Sequence, residues 1–194
     1  MSDCALAIAA GGQGIRLGRR DKGLLSLPDG TPLVQYLLRQ LEPYSWREIL
    51  LLCRPDQATY YQTLIGQAQL VFDQYGPGFG PMAALHTALQ SATCDWVQLW
   101  PVDAPIVCPQ LLQTLDQATA PALIPQDASG RLQPLFGRYH ISLLPSLTRH
   151  LTEQRLAISR WLRDIQAPIL PWSEHACFTN LNEPQDLTFL QHIC

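Results

Sequence analysis

The sequence lacks a long hydrophobic run, an excess of basic residues and the paired cysteines of a metal site. No stretch reaches the roughly 18 consecutive apolar residues that span a bilayer, and the first residues lack the basic segment of a signal peptide. The net charge is −3, so the chain has no general basic face to neutralise nucleic-acid phosphates. We therefore expect a cytoplasmic protein that binds neither membranes nor nucleic acids.

The six cysteines form no C-x-x-C pair, and none stands beside a histidine at metal-ligand spacing. This arrangement disfavours a zinc or iron–sulfur site. We expect the cysteines to be reduced, with several of them buried in strands. The six are Cys4, Cys53, Cys94, Cys108, Cys177 and Cys194.

Short apolar runs alternate with helical patterns as far as about Arg131. Strands are predicted at residues 4–9, 48–53, 70–72, 95–100 and 122–125, and helices at 31–41, 55–65, 81–92, 109–118 and 183–192. Because the strands are continuously apolar, we predict a three-layer α/β/α Rossmann-like fold, with a mostly parallel sheet and helices on both faces. A length of 194 residues, 47% of them hydrophobic, predicts one domain over residues 1–194.

The strongest pattern is a glycine-rich segment that directly follows the first predicted strand. Gly11, Gly12 and Gly14 allow a sharp backbone turn whose N–H groups can bind an anion. Four cations follow within seven residues: Arg16, Arg19, Arg20 and Lys22. Glycines and clustered cations together suit a nucleoside triphosphate. A tight turn with a solvated basic flank is the alternative.

Spacing excludes two better-known glycine motifs. A P-loop requires G-x-x-x-x-G-K-[ST], whereas Arg19 follows Gly18 here. A dinucleotide-binding G-x-G-x-x-G would need a third glycine at position 17, which is Leu17. The segment therefore predicts neither a Walker-type site nor an NAD site.

An aspartate between two prolines follows the fourth predicted strand. The segment W-P-V-D-A-P, residues 100–105, places Asp103 at the edge of the sheet where parallel strands end. Mg²⁺ usually takes one or two protein carboxylates together with substrate phosphates. Asp103 is therefore the candidate magnesium ligand, and a role in a turn or helix cap is the alternative.

A second glycine-rich loop follows the third predicted strand. Asp73 ends that strand, where its carboxylate could accept hydrogen bonds from a base. Gly78 and Gly80 precede a helix whose N-terminus has partial positive charge. The loop predicts a nucleotide contact, and a plain flexible turn is the alternative.

The segment F-T-N-L-N-E-P-Q-D, residues 178–186, alternates in polarity. The alternation places Asn180 and Asn182 on one side of an extended segment. Asn182 also suits the N-cap of the last predicted helix, with Gln185 as its capping-box partner. The two roles are compatible.

Together these segments resemble the molybdenum cofactor guanylyltransferases, within the nucleotidyltransferases of the nucleotide-sugar pyrophosphorylase type. Residues 9–22 match the family signature L-A-G-G-x-x-x-R-M-G-x-x-D-K. Residues 101–105 match its P-x-D-x-P element, and residues 80–84 resemble its G-P-L-A-G loop. Residues 180–186 match the closing N-x-N-x-P-x-D, which favours the molybdopterin branch. The resemblance extends from about residue 4 to residue 190.

The resemblance implies transfer of GMP from GTP–Mg²⁺ to the terminal phosphate of molybdopterin, with release of pyrophosphate. It implies that Asp73 recognises guanine, Asp103 holds magnesium and acts in catalysis, and Asn180 and Asn182 lie towards the pterin. Arg16 and Lys22 would neutralise the triphosphate and the leaving pyrophosphate. Transient contact with molybdoenzymes or their chaperones is the expected protein interaction. The predicted nucleotide-binding residues are Ala9, Ala10, Gly11, Gly12, Gly14, Arg16, Lys22, Asp73, Gly78, Gly80 and Asp103.

The chain departs from the family pattern in a few places. Leu17 replaces the usual methionine, and Ala84 replaces the second glycine of the G-P-L-A-G loop. Residues 51–53, where relatives can offer an asparagine, are apolar, so one base or ribose contact is not carried over. Three arginines in a predicted helix could reach the pterin phosphate, with a solvated helix face as the alternative: Arg155, Arg160 and Arg163.

Two other functions remain open from the sequence alone. The first is another nucleotidyltransferase, either a molybdopterin cytidylyltransferase or a sugar-phosphate enzyme, because base choice depends on few contacts. The second is a non-catalytic nucleotide-binding protein. The joint presence of Arg16, Lys22 and Asp103 counts against the second, because a binder has less need of a metal carboxylate.

Overall fold

The structure, a computed structural model, describes residues 3–11, 21–75, 78–181 and 186. One sheet has seven strands in the order β3-β2-β1-β4-β6-β5-β7. Adjacent strands pair in parallel, except that β6 is antiparallel to both β4 and β5. The strands are β1 Cys4–Ala9, β2 Glu48–Cys53, β3 Gln69–Phe72, β4 Trp96–Pro101, β5 Ala122–Gln126, β6 Arg138–His140 and β7 Ile169–Pro171.

Within the described residues, six α-helices pack against the two faces of this sheet. None of them is long and apolar enough to cross a bilayer. They are α1 Leu33–Leu41, α2 Ala58–Tyr61, α3 Gly80–Ser91, α4 Pro109–Asp116, α5 Leu144–Thr152 and α6 Ile158–Asp164.

Successive side chains of β1 point to opposite faces of the sheet, and each face is covered by helices. Ala5 and Ala7 are buried in a cluster with residues of α3, α5 and α6. Leu6 and Ile8 point to the opposite face and are buried with residues of α1, α2 and α4. Because both faces are buried, a continuously apolar strand is stable here. The three-layer α/β/α prediction is confirmed.

Strand register places several chain segments at one edge of the sheet. Ala9, the last residue of β1, pairs with Leu52 in β2 and with Pro101 in β4. Cys53 pairs with Phe72, the last residue of β3. The loops that leave β1, β2, β3 and β4 therefore begin side by side, at the edge where open α/β sheets bind ligands.

The first five predicted strands are present, with ends that move by one residue or less at most places. The predicted helix 55–65 is much shorter: a 3₁₀ turn at Pro55–Gln57 leads into α2, which is a single turn. The sequence pattern alternates clearly only as far as about Arg131, but the region after it also contains regular elements: β6, β7, α5 and α6. The predicted helix 183–192 lies outside the described residues, apart from residue 186.

The expectation that all cysteines are reduced is wrong for one pair. Cys108 and Cys177 form a disulfide, with their Cα atoms 5.6 Å apart, which lies in the ordinary range for such a bridge. The two residues are 69 positions apart, so only the fold brings them together. Cys4, Cys53 and Cys94 are free and buried, as predicted for this class of cysteine.

Candidate functional site

The candidate site lies where β1 ends, between β2 and β4. Ala10 donates its N–H to the carbonyl of Leu52 at 2.8 Å, and Val102 donates to Ala9 at 3.1 Å. These bonds continue the sheet for one residue beyond each strand, so the chain enters the glycine segment with its direction fixed. Ala10 is buried and Gly11 is half-buried.

Lys22 and Asp103 form an ion pair beside this turn. Lys22 Nζ lies 2.6 Å from Asp103 Oδ2, and the two side chains are 23% and 16% exposed. Lys22 begins a 3₁₀ turn, Lys22–Leu24, and Asp103 follows β4 in the stiff segment between two prolines. The structure thus brings together the cation and the carboxylate that the sequence placed 81 residues apart.

The carboxylate of Asp21 accepts three hydrogen bonds next to that pair. Its Oδ1 accepts from the N–H of Gly23 at 3.0 Å and from the hydroxyl of Tyr61 at 2.5 Å. Its Oδ2 accepts from Gln57 Nε2 at 2.5 Å. Desolvation by burial raises the pKa of Asp21, and the three hydrogen bonds oppose that shift. We call Asp21, Gln57 and Tyr61 the Asp21 cluster.

Arg54 and Gln57 connect the loop after β2 to the glycine turn. Arg54 donates from Nη1 to the carbonyl of Gly11 at 3.3 Å and also pairs with Asp56. Gln57 Nε2 donates to the carbonyl of Ala10 at 3.4 Å, while its Oε1 accepts from the Arg54 N–H at 2.7 Å. These contacts support the turn from the side of β2.

Asp73 lies at the other side of β2, one residue beyond β3. Its N–H donates to the carbonyl of Cys53 at 3.2 Å, and its Oδ1 accepts from the N–H of Tyr75 at 2.9 Å. Desolvation by burial raises the pKa of Asp73, and the bond from Tyr75 opposes the shift. The carboxyl group is thus fixed at the sheet edge and half-buried.

A histidine supports the loop that contains Asp73. His86 Nε2 lies 3.0 Å from Thr148 Oγ1, which itself donates to the carbonyl of Leu144. The His86 Nε2 therefore has to be the protonated nitrogen, with Thr148 as acceptor. The Tyr75 ring packs edge-on against His86. Burial lowers the pKa of His86, which favours the neutral ring.

The glycines at the site differ in the structural reason for a glycine at each position. Gly78 and Gly80 have φ values of +109° and +57°, a region that favours glycine. Backbone conformation alone therefore explains both, and their contact with a nucleotide stays a prediction. At Gly11 a Cβ atom would lie 4.0 Å from the backbone of Cys53, an ordinary contact, so packing among the described residues does not require glycine there.

The segment 178–181 also reaches Asp103, by a contact with its backbone. Leu181 donates its N–H to the carbonyl of Asp103 at 2.7 Å, and its side chain is buried with Leu25, Leu27 and Leu33. Asn180 is exposed. Its predicted alignment with Asn182 is not tested, because Asn182 lies outside the described residues. The contact of Asn180 with a ligand stays a prediction.

Some predicted residues lie outside the described residues or away from the site. Gly12, Gly14, Arg16 and Asn182 belong to segments that are not described. Arg155 lies between α5 and α6, where it contacts Glu153 and Asp164 instead of a site residue. Two further arginines of that group are exposed on α6: Arg160 and Arg163.

Sequence reasoning missed the contribution of the loop after β2. Gln57 and Tyr61 are four residues apart, so a helical turn places them on one face. That spacing was the only signal, and it does not distinguish a buried polar pair from an exposed one. Their burial, 2% and 0% exposed, comes from packing against β1 and the Lys22–Leu24 turn.

Asp103 fits a magnesium ion by its chemistry. Its carboxylate lies at the sheet edge, half-buried, beside the cation of Lys22. Mg²⁺ prefers such oxygen ligands and completes its shell with phosphates and water. The described residues therefore offer one protein ligand for a metal that a triphosphate would bring with it.

The fold and these motifs agree with comparisons to known proteins. The model of the MobA-like NTP transferase domain matches residues 6–169. A molybdenum cofactor guanylyltransferase of Vibrio cholerae is 33% identical over 190 residues, covering 96% of this chain and 90% of the relative. One from Yersinia pseudotuberculosis is 34% identical over 182 residues, with 92% and 90% coverage.

Solved structures give the same fold. Molybdopterin-guanine dinucleotide biosynthesis protein A from Archaeoglobus fulgidus superposes with a TM-score of 0.76 at 25% identity, with 98% of each chain covered. A 4-diphosphocytidyl-2C-methyl-D-erythritol synthase from Anaerococcus prevotii reaches a TM-score of 0.73 at 12% identity, covering 98% of this chain and 97% of that one. The second likeness concerns the fold alone.

Proposed function

Because the chain belongs to the MobA-like NTP transferase family and is a nucleotidyltransferase, we propose that it transfers GMP from GTP to the terminal phosphate of molybdopterin. Pyrophosphate is released, and the product is molybdopterin guanine dinucleotide. The observation that supports this most is the Lys22–Asp103 pair, 2.6 Å apart, beside the turn at Ala10 and Gly11. A cation, a carboxylate and the half-buried Gly11 at one sheet edge suit a triphosphate and its metal.

The order of the strands suits a nucleotide lying across their ends. Asp73 follows β3, the glycine turn follows β1, and Asp103 follows β4. Three strand spacings separate β3 from β4, about 14 Å at about 4.8 Å each. A base at Asp73 would leave the triphosphate over β1 and its metal at Asp103.

Asp73 favours guanine over cytosine as the base. An ionised carboxylate accepts hydrogen bonds and cannot donate them. The Watson–Crick edge of guanine presents two neighbouring N–H donors, whereas that of cytosine presents two acceptors and one donor. Asp73 therefore complements guanine better, which supports GTP against the alternative of CTP.

Gly11 supports close approach of phosphate to the backbone. A side chain at this position would be tolerated by its neighbours, since its Cβ would make only contacts of 4.0 Å. The absence of a side chain therefore leaves space that the described residues do not use. A phosphate group placed there could reach backbone N–H groups directly.

Charge stabilisation is the main chemistry that these side chains offer. The attacking group of molybdopterin is an ionised phosphate, so the reaction needs no strong general base. Lys22, with Arg16 from the glycine segment, would neutralise charge on the triphosphate and the leaving pyrophosphate. Asp103 would hold Mg²⁺, which when bound polarises the α-phosphate. The remaining task is to align the two substrates in line.

The second substrate is expected on the far side of Asp103. The nucleotide uses the ends of β3, β2 and β1, which leaves the side of β4 towards β6 and β5. Asn180 lies next to Leu181, whose N–H contacts the Asp103 carbonyl. Asn180 could therefore contact the pterin, together with Asn182 from the same segment. Contact with molybdoenzymes or their chaperones and a cytoplasmic location stay predictions.

The test measures pyrophosphate release with each nucleoside triphosphate and molybdopterin as substrates, in the presence of Mg²⁺. We expect turnover with GTP that depends on molybdopterin and on the metal, and formation of molybdopterin guanine dinucleotide by mass spectrometry. Turnover with CTP but not GTP would identify a cytidylyltransferase instead. GTP binding without pyrophosphate release on any acceptor would support the non-catalytic alternative. A sugar phosphate as acceptor serves as the control.

A further inference from the structure

Gln57 is almost fully buried, and each polar atom of its side-chain amide has a partner. Its Oε1 accepts from the Arg54 N–H, which fixes the orientation of the amide. Its Nε2 then donates to Asp21 Oδ2 at 2.5 Å and to the Ala10 carbonyl at 3.4 Å. One side chain thus links the segment after β2, the glycine turn and the segment that leads to Lys22.

Tyr61, at the end of α2, makes the second side-chain contact with Asp21. Its hydroxyl donates to Asp21 Oδ1, which also accepts from the Gly23 N–H. Asp21 is the N-cap of the Lys22–Leu24 turn, so its carboxylate determines where that turn begins. Asp21 precedes Lys22 directly, and Lys22 contacts Asp103.

We propose that Gln57 and Tyr61 are positioning residues of the transferase site, which hold the Asp21 carboxylate and thereby place Lys22 relative to the glycine turn and Asp103. This inference rests on the proposed function. Neither residue needs to touch a substrate. Their effect is transmitted through Asp21 to the one described cation that lies within contact of Asp103.

The arrangement suits positioning better than general support of the core. Burying an aspartate, a glutamine and a tyrosine hydroxyl together costs desolvation, and apolar residues would fill the same space more cheaply. Three hydrogen bonds to one carboxylate restrict both its position and its orientation. A misplacement of about 1 Å of a group that acts on the transition state can lower turnover about a hundredfold.

The first test is Gln57→Glu, which keeps the shape but replaces the donor. The new carboxylate at position 57 could still accept from Arg54, but its second oxygen would face the Asp21 carboxylate at the place of a 2.5 Å hydrogen bond. We expect kcat to fall by about tenfold to a hundredfold, with a much smaller change in the Kd of GTP–Mg²⁺. As pH falls, a shared proton should bridge the two carboxylates, so the deficit should shrink.

The rescue is the double variant Asp21→Asn/Gln57→Glu. The amide nitrogen at position 21 would then donate to the carboxylate at position 57, which restores the hydrogen bond with reversed polarity. The oxygen of the new amide could still accept from Tyr61 and Gly23. We expect the double variant to recover most of the lost turnover and to lose the unusual pH dependence. A purely structural role predicts no such recovery of kcat when the folded single and double variants are compared.

Tyr61→Phe tests the inference if Gln57→Glu does not fold. It removes only the hydroxyl donor, and we expect a fall in kcat that exceeds the change in GTP affinity. Tyr139→Phe is the matched control, because Tyr139 is also fully buried and donates its hydroxyl to a backbone carbonyl, that of Pro134, at 2.7 Å. The control should match Tyr61→Phe in loss of stability but keep wild-type kcat.

Failure of this inference is distinguishable from failure of the proposed function. If wild-type protein turns over GTP and both Tyr61→Phe and folded Gln57→Glu retain wild-type kcat, positioning by the Asp21 cluster is wrong. A double variant that stays as slow as the single variant would also overturn it, because Asp21 would then act by itself. If the wild-type protein turns over no triphosphate, the proposed function fails, and with it the inference.

Discussion

Lys22 and Asp103 act as counter-ions for each other before any substrate is bound. Each is partly exposed, so solvent screens their attraction and the pair contributes little to stability. A triphosphate offers Lys22 a stronger partner, and a metal offers Asp103 one. The pair therefore holds both side chains at the sheet edge, and a substrate can separate them at little cost in free energy.

Replacement of Asp103 tests its assignment as the metal ligand. A metal that polarises phosphate is worth several kcal/mol in the transition state. At about 1.4 kcal/mol per tenfold in rate, Asp103→Ala should lower kcat at least about a hundredfold. GTP binding without metal should change little, while the Mg²⁺ concentration needed for half-maximal turnover should rise.

The matched control for this substitution is Asp116→Ala. Asp116 also pairs with a cation, Arg138 at 2.9 Å, but it ends α4 on the side of the sheet where β1 begins. Its loss should leave turnover and the Mg²⁺ requirement unchanged. Near-normal turnover of Asp103→Ala would show that the metal is held elsewhere.

The raised pKa of Asp73 predicts a pH dependence of GTP affinity. Only the ionised carboxylate can accept two hydrogen bonds from guanine. Because burial raises the pKa of Asp73, protonation competes with binding at higher pH than for an ordinary aspartate, whose pKa is about 3.9. The Kd of GTP should therefore increase as pH falls through that raised value. Calorimetric titrations between neutral and acidic pH measure this.

Other groups also titrate in this range, including phosphate oxygens and His86, whose pKa burial lowers. Asp73→Asn separates their contributions, because it removes the carboxyl group and leaves the rest. The variant should bind GTP more weakly at neutral pH and with a flatter pH dependence than the wild type. An identical slope in both proteins would exclude Asp73 as the titrating group.

Only part of the site could be predicted from single residues. Motif and position predicted Lys22, Asp103 and Asp73 as ligand contacts. The structure places all three at one edge of the sheet. The role of Gln57 and Tyr61 could not be predicted, because a glutamine and a tyrosine in the predicted helix 55–65 fit an exposed helix face equally well. Their role depends on the distance between β1 and α2, which is a property of the packed fold.

Gly23 and Gly11 both lie next to the site, but we expect alanine to affect them differently. At Gly23 it should lower stability, and at Gly11 it should lower GTP affinity. At Gly23 a Cβ would collide with the Tyr61 hydroxyl and lie 3.1 Å from Val102 Cγ2. Overpacking of this kind costs about 1–3 kcal/mol. Gly23→Ala should therefore lower Tm by roughly 2–12 °C, since a chain of this length loses about 2–4 °C per kcal/mol.

Gly11→Ala is the companion variant to Gly23→Ala. Its Cβ would make only 4.0 Å contacts, so Tm should stay close to that of the wild type. GTP affinity should nevertheless fall, because the methyl group would occupy the space proposed for phosphate. Thermal unfolding and GTP titration of both variants measure the contrast. A destabilised Gly11→Ala with normal affinity would contradict it.

Elements with a continuous apolar pattern could be predicted, and those that depend on specific polar contacts could not. β1 and β2 are buried on both faces, so their sequences consist almost entirely of apolar residues. β6 is three residues long and begins with Arg138, which suggests a loop by composition. Arg138 is buried because it pairs with Asp116 and stacks over the Trp96 ring at 4.6 Å. Neither partner is near it in sequence.

The sheet divides into two parts at β4. On one side, β1, β2 and β3 run in parallel and lead into the residues predicted to bind the nucleotide. On the other, antiparallel β6 connects β4 to β5 and β7. The chain returns from β7 to Asp103 through the segment that contains Asn180. The position of the second substrate therefore depends on how firmly that returning segment is attached.

The disulfide attaches this segment to the rest of the molecule. Cys177 lies three residues before Asn180, and Cys108 precedes α4, five residues after Asp103. Nearby, the rings of Phe178 and Phe136 pack at 5.0 Å, and Leu181 bonds to Asp103. The bridge thus joins the two chain segments that lie on either side of the expected pterin site.

Reduction of the bridge should therefore lower both stability and affinity for the second substrate. A loop of 69 residues corresponds to about 4 kcal/mol of chain entropy in the unfolded state. That predicts a fall in Tm of roughly 8–16 °C in reductant, and a KM for molybdopterin that rises more than the KM for GTP. Cys108→Ser/Cys177→Ser should show the same values without reductant and no further response to it. Six reactive thiols in unfolded, unreduced protein would show that the bridge does not form.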